Sequence, residues 1–138
     1  MSSNQYAGAT VETAQRASEN LLSRFRKADG LDLEGIFCPN ESSTFGMLRA
    51  LQGASLAGKV RFVGFDASPK LVAALEAGEI DGLVLQDPHK MGYLAVKTLV
   101  SHLRGEQVEK RIDTGAVLAT KENRSEPDIA KLLAPPQS

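Results

Sequence analysis

The sequence predicts an α/β fold, a three-layer sandwich built on a mainly parallel sheet, and three observations carry that prediction. Short apolar runs at 35–37, 60–65 and 82–85 alternate with segments whose apolar residues recur at helical spacing. Two of those segments open with a cap-plus-proline signal, Ser68-Pro69 and Asp87-Pro88. Each strand run is followed within a few residues by a polar side chain: Asn40, Asp66 and Gln86. In an open parallel sheet the residues beyond the strand ends collect along one edge, where such folds take ligands. Two amides and a carboxylate there suit a neutral, polyhydroxylated ligand, and a sugar is the leading candidate.

The 138 residues suffice for one domain with a real core. A hydrophobic content of 42% with 24% charged residues excludes a disordered chain, and no apolar run approaches bilayer length. A net charge of −1, with cations scattered among anions, gives no reason to expect nucleic acid. The single cysteine, Cys38, lies in an apolar run and is expected to be buried rather than reactive. Residues 1–6 lack the basic and apolar regions of an export signal, so the chain as written is expected in the cytoplasm.

Taken in order, 10–27 places Val11, Ala14, Leu21, Leu22 and Phe25 on one face and predicts a helix covering the sheet, broken at Asp29-Gly30. Pro39 ends the first strand, since it cannot donate to a ladder. Ser42 or Ser43 is expected to cap the next helix, which carries Phe45, Leu48 and Leu51 inward and ends near Gly53. The run 60–65 is the strongest strand and is expected at the centre. Ser68 should cap a helix that ends at Gly78 in the left-handed conformation. The helix from Pro88 to Gly105 carries Met91, Tyr93, Leu94, Val96, Leu99, Val100 and Leu103, an apolar surface that expects cover on more than one side. A further strand is expected over 112–118, then a short helix over 128–133 and a frayed end.

The stretch from Gly53 to Val60 nearly spells a phosphate loop, but Val60 replaces the magnesium-binding hydroxyl and the loop follows a helix instead of a strand. His89 and His102 are too far apart on one helix to share a metal, so no metal or cofactor is expected. Ser42, Asp66 and His89 lack the strained nucleophile turn of a hydrolase, and enzyme activity is not expected.

Pro39-Asn40-Glu41-Ser42-Ser43 with Gly46 and Leu48-Arg49-Ala50-Leu51, then Val63-Gly64-Phe65-Asp66-Ala67-Ser68, then Gln86-Asp87-Pro88 with Met91-Gly92-Tyr93, together resemble the ribose-type sugar-binding proteins of bacterial ABC transporters. Ile112-Asp113-Thr114-Gly115 and Thr120-Lys121-Glu122-Asn123 are similar to that family's last strand and tail. The resemblance implies a flavodoxin-like lobe of a type 1 periplasmic-binding fold, the carboxy-terminal half only, without the first lobe or the first strand of this lobe. It divides the chain into an α/β lobe over 1–120 and a tail over 121–138, with 88–111 crossing to the other lobe in full-length relatives. It implies that Asn40 hydrogen-bonds sugar hydroxyls, that Asp66 accepts from a pair of them, and that Gln86 completes that side of the pocket. Glu41, where many relatives carry aspartate, receives no ligand role.

The implied parent is periplasmic, binds a monosaccharide and feeds an ABC permease or a chemoreceptor; one lobe alone should bind poorly. Without the other lobe, the 88–104 helix is expected either to fold back on the sheet, with 112–118 at an edge or in the place of the missing strand, or to be covered by a second copy in a homodimer. Two other readings remain: the sugar-sensing domain of a LacI-type transcriptional regulator, and a small flavodoxin-like enzyme or electron carrier.

Overall fold

A reciprocal pair of threonines sets the start of the first helix. Thr10 is extended and its hydroxyl accepts from the Thr13 backbone N–H at 3.2 Å, while Thr13 Oγ1 accepts from the Thr10 N–H at 3.2 Å. From there α1 runs Val11–Arg24 in the computed structural model, which describes residues 5–28 and 30–134. Its buried stripe is Ala14, Ser18 and Leu22, spaced by fours, and it faces the next helix rather than the sheet it was expected to cover. The helix also stops before the expected 27. Two short strands, β1 Arg26–Lys27 and β2 Gly30–Leu31, pair antiparallel across a turn, held by Asp32 N donating to Phe25 O at 2.7 Å and by a Lys27–Asp32 ion pair at 2.7 Å. The expected breaker Asp29 lies outside the described residues, as do residues 1–4, which carry most of the segment searched for an export signal.

The main sheet begins with β3, Gly35–Phe37. Then follow α2 (Glu41–Gly53), β4 (Arg61–Phe65), α3 (Pro69–Ala77), β5 (Gly82–Leu85), α4 (Pro88–Leu103), β6 (Val117–Ala119) and α5 (Pro127–Leu133). The strand order is β3-β4-β5-β6, with the first three parallel and β4 central among them, as the α/β prediction requires. Phe62, Leu51, Leu71, Leu75, Leu83 and Leu85 form the middle of the core.

Local signals set most helix ends. Asp87 Oδ1 accepts from Lys90 N at 2.9 Å before Pro88, and Gly78 closes α3 at φ 77. Ser68 occupies the cap position of α3, but its hydroxyl makes no capping bond; Pro69 supplies the start. Asn40, not Ser42 or Ser43, caps α2, because the chain is still extended at Asn40 (φ −158, ψ 167) and turns helical at the next residue.

Two expectations about the end of the chain are corrected. The last strand is shorter and later than 112–118, and it pairs antiparallel with β5 at one edge of the sheet. The helix at 88–104 does not fold back on the sheet: no residue of α4 is buried, and Tyr93, Val96, Leu99 and Leu103 are all more than half exposed. Its polar first turn is held by its own cap and by Lys90 Nζ donating to Thr114 O at 3.3 Å, whereas its apolar face finds no partner surface among the described residues. The last helix matches its expectation closely. α5 lays Ile129 in the core, an Arg124–Glu76 ion pair ties the preceding turn to α3, and the frayed end expected beyond it, with Pro135-Pro136, lies outside the described residues.

The α1–α2 contact depends on a missing side chain. A Cβ at Gly46 would lie 2.6 Å from Ala14 Cβ and 2.6 Å from Gln15 N, and the second of these is backbone that cannot swing aside. Gly46→Ala is therefore expected to destabilise the chain by about 1–3 kcal/mol, typical of overpacking, in urea unfolding followed by circular dichroism.

Candidate functional site

The three polar residues read from the sequence all lie just past the ends of β3, β4 and β5, three neighbouring strands that point the same way. Asn40 is exposed at the first turn of α2. Its side-chain oxygen is committed, accepting from Ser43 N at 2.9 Å and from Ser42 Oγ at 3.0 Å. Its amide N–H groups have no protein partner among the described residues, so Asn40 presents a donor to anything above the sheet edge.

Asp66 is half-buried and adopts the left-handed conformation at φ 66. That region costs a non-glycine residue about 1 kcal/mol, and aspartate is among the residues that tolerate it best. The backbone there is held on two sides. Asp66 N donates to Val84 O at 2.9 Å, continuing the ladder to β5, and the preceding Phe65 N donates to Thr44 Oγ1 at 2.9 Å. Burial raises the Asp66 carboxyl above the ordinary carboxylate range, and the negative charge of Glu41 raises it further, against the opposing pull of the Glu41 backbone N–H at the α2 N-terminus. Gln86 is half-buried past β5 and its side chain makes no hydrogen bond among the described residues. The β4–β5 register, Phe65 with Val84, puts Gln86 on the same edge as Asp66. The structure thus joins Asn40 and Asp66 through shared contacts, and relates Gln86 to them by strand position alone.

Thr44 is the residue that sequence reasoning missed. It is fully buried one turn into α2, and its hydroxyl bridges the Asn40 carbonyl and the Phe65 amide. A threonine at this helix position bonding back four residues was the available signal; its second partner lies across the fold. Cys38 is buried and its thiol is pushed up to about 11 by burial, which leaves it protonated and unreactive at neutral pH. His89 and His102 are exposed, and no group of three metal-ligating side chains occurs among the described residues. A groove of about 700 Å³ runs along the free edge of β3 between Leu21, Phe25, Phe37, Met47 and Asn40; neither Asp66 nor Gln86 lines it.

A family model described as a periplasmic binding protein domain matches residues 1–107. The ribose import binding protein of Haemophilus influenzae is 37% identical over 95 residues, which cover 69% of this chain and 30% of that protein. Among solved structures, an ABC transporter solute-binding protein from Agrobacterium vitis with bound D-fucose superposes with a TM-score of 0.85 at 34% identity, over 96% of this chain and 44% of that one. A carbohydrate transporter solute-binding protein from Agrobacterium radiobacter in complex with D-arabinose gives 0.82 at 36% identity, over 94% and 42%. The chain therefore spans about a third of the curated relative's length and less than half of the solved structures.

The raised Asp66 carboxyl has a definite sign in stability. The folded state binds the proton more tightly than the unfolded chain, so the contribution is present in full below the unfolded pKa of about 3.9 and is lost as pH rises through the higher folded value. Asp66→Asn should flatten this part of the pH–stability curve and leave the chain as stable as the parent at pH 7, or more stable by less than about 1 kcal/mol given partial solvation. Thermal melts from pH 3 to 8 read both effects, and a variant less stable at pH 7 would contradict them.

Proposed function

Because the chain belongs to the periplasmic binding protein domain family, we propose that it is the carboxy-terminal lobe of a periplasmic receptor that hands a monosaccharide to an ABC transporter permease or a chemoreceptor. The observation that carries the reading is the strand-end edge itself: unpaired amide donors on Asn40, a carboxylate acceptor at Asp66 held in a strained backbone, and the uncommitted amide of Gln86, all beyond neighbouring parallel strands. Those groups offer donors and acceptors to adjacent hydroxyls without demanding a charged ligand. The relatives carry sugars of that kind in their names and structures: ribose, D-fucose and D-arabinose. No chemical transformation is part of the proposal.

The lobe supplies one wall of the pocket. The free edge of β3 and the exposed apolar face of α4 are the surfaces on which the rest of the receptor would rest. In isolation the same α4 face would support weak pairing of two copies. Sedimentation equilibrium should then show a mass that rises with concentration and that Leu99→Lys holds at the monomer; a parent chain that is monomeric throughout overturns the pairing.

The binding reading is tested by titrating isotope-labelled protein with D-ribose, D-arabinose, D-fucose and D-allose while following backbone amides. Without a second wall to exclude water, saturable shifts clustered at Asn40, Asp66 and Gln86 are expected with a Kd of about 1 mM or weaker. Asp66→Ala should abolish them. Absence of saturable shifts for all four sugars, in a chain shown to be folded, overturns the reading for this lobe.

A further inference from the structure

We propose that Thr44 is a positioning residue that couples Asn40 to Asp66 and sets the spacing at which the two grip one ligand, an inference that rests on the sugar-binding reading of those two residues. The geometry is specific to a threonine. Its hydroxyl donates to Asn40 O at 2.8 Å and accepts from Phe65 N at 2.9 Å, which uses its single proton and one lone pair. Asn40 O also takes the Thr44 backbone N–H at 3.0 Å and Ser43 Oγ at 3.0 Å, so the carbonyl keeps partners if the hydroxyl is lost; the Phe65 N–H does not.

That N–H is the place where the sheet runs out. The last rung between β3 and β4 is Cys38 N donating to Val63 O at 3.1 Å, after which Pro39 takes the chain away toward α2. Two residues further along β4, the Phe65 N–H faces the side that β3 has left, and the Thr44 hydroxyl stands in for the absent strand. The methyl group is fitted as closely. A Cβ on Gly64 would come 2.2 Å from Thr44 Cγ2, so strand and helix approach to a distance that only this glycine allows. One fully buried side chain thereby ties the residue that caps α2 to the residue that precedes Asp66.

The test compares Thr44→Val, which keeps the shape and loses the hydroxyl, with Thr44→Ser, which keeps the hydroxyl and loses the methyl. In native-state hydrogen exchange, Thr44→Val should accelerate the Phe65 amide about five- to tenfold relative to the Phe62 amide, whose partner is Asp81 Oδ2, and should move the Glu41 and Asp66 resonances. Thr44→Ser should stay near the parent on both readouts. Equal acceleration of Phe62 and Phe65, no acceleration of either, or a serine variant that behaves like the valine one would each overturn the coupling. For whichever of the four sugars binds, Thr44→Val should weaken affinity about tenfold with Thr44→Ser within about threefold; unchanged affinity in the valine variant overturns the role in gripping ligand. If the parent binds none of the four, the sugar reading has failed, and the exchange experiment decides the coupling by itself.

Discussion

The fold depends on keeping the central strand β4 satisfied at both of its ends. A parallel strand sends alternate N–H groups to its two neighbours, and wherever a neighbour stops short an amide is left facing nothing. At the start of β4 the Phe62 N–H is taken by Asp81 Oδ2 at 2.7 Å, while Asp81 N donates back to Phe62 O at 2.8 Å. At its far end the Phe65 N–H is taken by Thr44. These two side chains lie on opposite sides of the strand, one in the turn before β5 and the other in α2. They fix β4 against both neighbours before any apolar packing is counted. The accompanying Arg61–Asp81 pair, at 3.9 Å and largely solvated, adds little.

From that constraint the strand-end edge inherits its shape. Asn40 serves the fold with its oxygen, while its side-chain N–H groups have no partner among the described residues, so the atom that caps α2 is distinct from those left free beyond the strand end. Asp66 has its backbone fixed by the ladder to β5 and its carboxyl raised first by burial, then by the Glu41 charge, against the Glu41 N–H at the α2 N-terminus. Burial and the Glu41 charge both disfavour the ionised form of that carboxyl, and hydrogen-bond donors favour it.

The alternation of strands and helices was legible because periodicity and punctuation agree: the apolar run ending at Phe65, Asp87-Pro88 and Gly78 each act through local geometry that the structure reproduces. The capping residue of α2 was misread because Asn40, Ser42 and Ser43 all cap well, and only the path of the chain after Pro39 selects among them. The hairpin of β1 and β2 rests on two-residue pairings too short to leave a pattern. The second partner of Thr44 was hidden for a different reason. That partner, Phe65, lies 21 residues away, and a threonine inside a helix reads as neutral until the strand beside it is in place. For α4, periodicity told which face is apolar and was silent on what covers it.

The antiparallel β6 has a kinetic consequence. β3, β4 and β5 follow one another through single helices, so each rung closes a modest loop. β6 must return to β5 across residues 86–116, and α4 in that stretch buries none of its residues among the described ones, so little packing there offsets the entropy of closure. The antiparallel β5–β6 pairing is therefore expected to form last and to open first, while the three parallel strands with Asn40, Asp66 and Thr44 are expected to assemble without it.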